Sequence, residues 1–289
     1  MDQKLNFAFF GTPEVASKTL EILKQEDFIP ALIITAPDRP KGRGMQLQQS
    51  PVAEFAKQNN ISYFKPEKLN NELAKKLSAK SYELAIVVAY GKIMPENILN
   101  IPKLGSINVH YSLLPKYRGA SPVESAILNG ETKTGVTIQK MVYQMDAGPI
   151  LAQTKTEIFP NETASELRAR LIKLGGDMLV KILKTPSSFP LSGGKQQDES
   201  QATYCKKIKK EDGLLDLNDN PVKNYNKFRA YAHWPRIFYF KNGKRIIVTQ
   251  AKLENDPLDS ARGKQFVIEK ILPEGKKEQD YQNSIYTLA

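Results

Sequence analysis

The chain has 289 residues, 40% of them hydrophobic and 25% charged, with one cysteine and two histidines. That length suits one large or two ordinary domains with a real core, and a single cysteine excludes an intrachain disulfide and a cysteine-based metal cluster. With 42 Lys and Arg against 31 Asp and Glu, the net charge of +11 favours an anionic partner, nucleic acid being the commonest large one.

Leu5 to Phe10 reads as a buried strand closed by Gly11-Thr12-Pro13. Thr12 as N-cap and Pro13 as first helical residue account for that closure; a phosphate cradle at the helix start is the alternative. An amphipathic helix over 14 to 24 follows, then a second buried strand, Ala31 to Ile34. Residues 36 to 44, Ala-Pro-Asp-Arg-Pro-Lys-Gly-Arg-Gly, form a basic loop expected to be exposed and mobile, with Arg39, Lys41 and Arg43 suited to phosphates. Helices over 52 to 57 and 69 to 79 flank a short strand, Ile61 to Phe64. Leu84 to Ala89 is wholly apolar. Continuous apolar strands alternating with helices predict a Rossmann-like, doubly wound, mostly parallel sheet. No G-x-G-x-x-G or P-loop is present, which argues against a nicotinamide site.

A strand from Leu104 to Val109 then delivers Asn108-Val-His110, followed at once by a proline-broken basic loop. Strand side chains repeat every two residues, so Asn108 and His110 share a face. An amide beside a titratable ring at a strand's C-terminal end is where open α/β sheets place chemistry. Asp146, in Met-Asp-Ala-Gly-Pro, is the candidate third member. A carboxylate orients a histidine and an amide donates to a developing oxyanion, a set suited to acyl transfer to an amine with no protein nucleophile. By spacing alone Asn-x-His also reads as a satisfied structural pair, and Asp146 as a turn aspartate. His233, in Ala-His-Trp-Pro, reads as a packed histidine.

A helix over 121 to 129, paired strands at 135 to 141 and 150 to 156, and a long helix over 163 to 184 complete the first part. Residues 185 to 201 are rich in Pro, Ser, Gly and Gln and read as a linker. Beyond it, a helix over 221 to 231 precedes strands at 237 to 240, 245 to 250 and 265 to 271, with an Asn242-Gly243 hairpin turn. The expected division is a catalytic domain over 1–184, a linker over 185–203, and a small β domain over 204–289. No run of apolar residues is long enough to span a membrane, and Met1-Asp2-Gln3-Lys4 has no signal-peptide character, so a reducing cytoplasm is the expected setting.

Asn108-Val-His110 followed by Ser112-Leu-Leu-Pro115 and Arg118-Gly119, with Met145-Asp146-Ala-Gly148 downstream, resembles the folate-dependent formyltransferase family. The resemblance runs over nearly the whole chain and is strongest from 5 to 150. It implies 10-formyltetrahydrofolate as formyl donor, no metal, and Asn108, His110 and Asp146 as the catalytic set. Ser112, Leu113, Leu114 and Pro115 match the folate-contacting segment, expected to act through backbone groups, and Val88, Tyr90 and Gly91 match the folate-pocket segment. Pro37 to Gly44 is similar to the tRNA-contacting loop of family members that formylate methionyl-tRNA. That similarity implies the α-amine of methionine on initiator tRNA as acceptor, with Arg39, Lys41 and Arg43 on the acceptor arm. It also implies an OB-like C-terminal barrel, here shortened by a hairpin between Gly263 and Pro273; a monomer is expected, though no residue speaks to oligomeric state. Sugar-nucleotide N-formyltransferases, formyltetrahydrofolate hydrolases and a catalytically dead tRNA-binding protein share the scaffold. The Arg39–Arg43 loop, the basic C-terminal part and the intact Asn-His-Asp set argue against each in turn.

Overall fold

The structure, a computed structural model, describes residues 5–41, 45–186, 193–255 and 263–281. In chain order the first elements are β1 (Phe7–Gly11), α1 (Glu14–Gln25), β2 (Leu32–Ile34), β3 (Arg39–Lys41), β4 (Gln46–Gln48), α2 (Pro51–Gln58), β5 (Tyr63–Phe64), α3 (Asn71–Ser78), β6 (Leu84–Val88) and α4 (Glu96–Leu99). Then come β7 (Ser106–His110), β8 (Arg118–Gly119), α5 (Pro122–Leu128), β9 (Lys133–Lys140), β10 (Ile150–Glu157) and α6 (Ala164–Lys184). The remainder holds β11 (Tyr204–Cys205), α7 (Pro221–Ala230), β12 (Phe238–Lys241), β13 (Lys244–Asn255), β14 (Lys264–Pro273) and β15 (Gln279–Asp280).

A seven-stranded sheet, in the order β10-β9-β7-β6-β1-β2-β5, organises the first part. The β1–β2, β1–β6, β2–β5 and β6–β7 pairs are parallel, and β7–β9 is antiparallel. This is the Rossmann-like arrangement expected from the apolar strands. All five residues of β1 and of β6 are buried, because helices cover both faces of the sheet. On one face Ala8, Phe10, Leu32, Ile34, Ala85 and Val87, alternating along three strands, pack with Leu73 and Leu77 of α3 and Ile98 and Leu99 of α4. On α6, a Cβ at Gly175 would stand 2.9 Å from Val109 Cγ1, so the helix lies on β7 through a glycine.

Several local expectations change. Thr12 does not cap α1: Pro13 is the N-cap, Glu14 opens the helix, and Thr12 Oγ1 donates to the Tyr90 carbonyl at 3.1 Å. That bond ties the ends of β1 and β6 together. The basic loop is a ribbon rather than a free loop, with Arg39↔Gln48, Pro40↔Leu47 and Lys41↔Gln46 paired antiparallel. A residue before proline is driven to extended backbone, so Asp-Arg-Pro-Lys is as ready to pair as to wander. Arg43 lies outside the described residues. The stretch read as a linker is partly ordered: Lys195 bridges to Ile150 and residues 199–201 form a 3-10 turn. Residues 187–192 lie outside the described set. His233 is exposed rather than packed, in the turn that follows α7.

Two compact units emerge, and they cut across chain order. The first contains residues 1–119, 135–156 and 169–204; the second contains 120–134, 157–168 and 205–289. In the second, an antiparallel sheet in the order β12-β13-β14-β15 carries the C-terminal part. Asn242 and Gly243, at φ 52° and 72°, make the two-residue β12–β13 turn, which needs left-handed backbone at both positions. Within this unit Arg229 is buried, donates to the carbonyls of Phe159 (3.2 Å) and Glu162 (3.3 Å), and is held below its ordinary pKa mainly by that burial. The Tyr225 hydroxyl donates to Asn161 Oδ1 at 3.0 Å. These bonds explain why the unit recruits segments that precede the sequence-predicted boundary at 204.

Candidate active site

β7 lies between β6 and β9, and its register decides the site. Asn108 pairs across with Gln139 and His110 with Thr137. Directly opposed residues share a face, so the amides of Asn108 and Gln139 rise together from the sheet. The loop after β9 brings Asp146 over them. Asp146 Oδ1 accepts from Gln139 Nε2 at 2.9 Å and lies 3.5 Å from Asn108 Nδ2. Its Oδ2 accepts the backbone N–H of Gly119 at 2.8 Å and lies 3.5 Å from His110 Nδ1. The three predicted catalytic residues therefore converge on one carboxylate.

Geometry assigns the histidine's protons. His110 Nε2 is 2.8 Å from the Tyr117 carbonyl, which can only accept, so Nε2 carries a hydrogen. Nδ1 is left as the atom facing Asp146. His110 and Asp146 are both largely buried, with side chains 6% and 13% exposed, so their interaction is little screened by solvent. Asp146 itself stands at φ 52°, a left-handed conformation that aspartate tolerates better than most residues. Two residues on, Gly148 packs so tightly on the end of β9 that a Cβ would sit 1.8 Å from the Lys140 carbonyl oxygen.

The segment after His110 is pinned from beneath. Thr137, fully buried, donates to the Ser112 carbonyl at 2.7 Å and accepts the Leu114 N–H at 3.1 Å. Gln153 Nε2 donates to the Leu114 carbonyl at 3.0 Å, and Ser112 Oγ to the Lys116 carbonyl at 2.6 Å. Ser112 and Leu114 are thus buried with much of their backbone already engaged, while Leu113 and Pro115 are half-exposed. Val88 is buried at the end of β6. The Tyr90 ring packs edge-on to Phe10 at 5.5 Å, and its buried hydroxyl has no hydrogen-bond partner among the described residues. Burial pushes that phenol's pKa well up, so it stays a neutral donor. Gly91, at φ 78°, has open space where a Cβ would stand. Arg39 is exposed on the β3–β4 ribbon, to which Lys41 also belongs.

Two residues escaped the sequence reading, Gln139 and Gln197, and Arg118, quoted there within the family motif, was given no role. The first had a signal, since Thr137 and Gln139 alternate with Val136 and Ile138 in the buried part of β9, Gly-Val-Thr-Ile-Gln. Gln197 had none, sitting in a stretch of linker-like composition.

The formyl transferase family profile matches residues 4–183, and the formyl transferase C-terminal domain profile matches 207–270. The chain belongs to the formyl transferase family. It is 41% identical over 232 residues to the methionyl-tRNA formyltransferase of Thermotoga maritima, covering 80% of this chain and 74% of that protein. It is 37% identical over 257 residues to that of a Sulfurihydrogenibium species, covering 88% and 82%. Among solved structures, the sugar 3-N-formyltransferase WlaRD, crystallised with dTDP and 5-N-formyl-THF, superposes with a TM-score of 0.65 at 19% identity. That superposition covers 95% of this chain and 100% of the other and speaks to the shared fold. No helix among the described residues is long and apolar enough to cross a membrane, and none of the acidic, histidine or cysteine side chains there cluster as a metal site.

Proposed function

We infer that this family member has the activity of a methionyl-tRNA formyltransferase, moving a formyl group from 10-formyltetrahydrofolate to the α-amine of methionine on initiator tRNA for translation initiation. The observation that carries the reading is the convergence of Asn108 and His110 on Asp146, with no serine or cysteine nucleophile in that cluster. The identity to methionyl-tRNA formyltransferases over most of the chain supports the acceptor.

The donor supplies a formyl carbon bonded to a tertiary nitrogen that can leave. The protein's part is to bind, orient and handle charge and protons. Asn108 Nδ2 donates where negative charge grows on the formyl oxygen, and the hydrogen-bonding His110 ring beside it stabilises the same charge. Asp146 holds His110 and draws the proton that the attacking amine must lose. The balance closes: the methionyl nitrogen gains the formyl carbon and loses one proton, and the departing nitrogen regains one. The open space at Gly91 fits a folate ring at the end of β6, beside Val88 and Tyr90. Ser112 to Pro115 form the neighbouring wall; with the backbone of Ser112 and Leu114 already engaged, Leu113 and Pro115 offer the contact surface. Arg39 and Lys41 engage the acceptor arm from the ribbon, and Arg43 joins them in that contact. The unit that holds residues 1–119, 135–156 and 169–204 carries catalysis, and the unit that holds residues 205–289 binds tRNA, in a cytoplasmic monomer.

A formyl-transfer assay with methionyl-tRNA, a nucleotide-linked amino sugar and water as competing acceptors tests the reading. Preference for methionyl-tRNA is expected. Faster transfer to the sugar, or simple hydrolysis of the donor, would replace it.

A further inference from the structure

Arg118 is fully buried, and a guanidinium has donors only. Its Nη1 and Nη2 grip Glu199 Oε2 and Oε1 at 2.8 and 2.7 Å. Its Nε and Nη2 reach Gln197 Oε1 at 3.1 and 2.8 Å. The atom of Gln197 facing Arg118 must therefore be the oxygen, and its nitrogen faces the active-site loop. Nε2 donates to the backbone carbonyls of Asp146 at 2.8 Å and Gly148 at 2.7 Å, and lies 3.3 Å from Gln139 Oε1. The same logic orients Gln139, whose oxygen meets Gln197 and whose nitrogen donates to Asp146 Oδ1. Guanidinium, carboxamide, carboxamide and carboxylate thus form a chain in which every donor points one way. Reversing either amide would oppose like dipoles at low dielectric, where unpaired polar groups are costly.

We propose that Gln197 is a positioning residue for formyl transfer. Set by Arg118, it holds the 146–148 backbone, left-handed at Asp146, and, through Gln139, aims the Asp146 carboxylate at Asn108 and His110. The segment that composition marks as a spacer is the outer support of the catalytic loop. The proposal rests on Asp146 belonging to the catalytic set.

Gln197→Glu tests it. The new carboxylate pairs with Arg118, so the fold is kept, but it turns oxygen toward two backbone carbonyls. The melting temperature should hold, KM for donor and methionyl-tRNA should stay within about 3-fold, and kcat should fall on the order of 10-fold or more, as for misplaced catalytic groups. Unchanged kcat would overturn the proposal. A collapsed melting temperature would make the segment a structural strap and overturn it as well. Gln197→Met and Gln139→Met, singly and together, test the relay. Acting in series, the double variant should lose little more in kcat than the worse single; multiplying losses would mean the two act separately and would break the chain. Asp146→Asn, run alongside, separates the two levels. Normal turnover there sinks the catalytic assignment, whereas a crippled Asp146→Asn beside a normal Gln197→Glu sinks only the role of Gln197.

Discussion

Gly148→Ala is the smallest change that should disable this site. The added methyl would stand 1.8 Å from the Lys140 carbonyl oxygen and 2.9 Å from the Lys140 carbonyl carbon, both main-chain atoms of β9. Neither is the end of a flexible side chain, so the strain falls on the loop. Reaching even 3.0 Å requires a shift of about 1.2 Å, and Asp146 lies two residues away on the same turn. A misplacement of about 1 Å in a catalytic group costs on the order of 100-fold in rate. Overpacking of this kind costs about 1–3 kcal/mol of stability, or roughly 2–4 °C in melting temperature for each kcal/mol. Single-turnover formyl transfer and a thermal melt would report both. The loss should fall mainly on kcat, since the Tyr90–Gly91 and Arg39 regions are untouched. Turnover within twofold of the parent with an unchanged melt would refute the reasoning, because the loop would then have room that the geometry denies.

Asp146→Asn should fold normally and lose turnover on the order of 100-fold or more, since an amide cannot take up the amine's proton; circular dichroism beside a rate assay checks both halves. Arg39→Ala and Arg43→Ala should raise KM for methionyl-tRNA far more than KM for the donor, and each should lower the slope of log affinity against log salt by about one; equal losses in both substrates would count against a tRNA ribbon. The hydrogen bonds from Arg118 hold the Glu199 carboxyl below its ordinary pKa of 4.5. A carboxyl depressed in the fold stabilises it above the unfolded pKa, and that stabilisation is lost as pH falls through the folded value. Melting temperatures from neutral pH down to about 3 should therefore drop less steeply for Glu199→Gln than for the parent; parallel curves would show that the pair contributes nothing.

Much of the site was legible from local pattern. The Asn-x-His spacing is enough to put two side chains on one face of a strand, because the β repeat is a property of the backbone alone. The apolar runs of β1, β2 and β6 announced a parallel sheet because a strand covered on both faces keeps no polar side. Gln139 was half-legible as a polar residue alternating with apolar ones, but its partner is named only by the antiparallel register with β7. Gln197 was illegible. Its neighbours are Gly, Lys, Gln and Asp, and nothing in them says that an arginine 79 residues earlier will orient its amide.

The linear chain thus determined the chemistry on offer: an amide and an imidazole at a strand end, a carboxylate in a glycine-proline turn, and cations between prolines. Those are local facts, fixed by residue type and by the two-residue and 3.6-residue repeats. Only the tertiary structure decided which groups meet. It chose the His110 nitrogen that faces Asp146 by spending the other on a carbonyl, turned the basic loop into a ribbon, and gave the spacer-like segment a role behind the catalytic carboxylate. Each of those outcomes depends on which acceptor a hydrogen-bond donor finds, 7 residues on for His110 and 79 residues on for Arg118 in its bond to Gln197, and composition carries no record of that pairing.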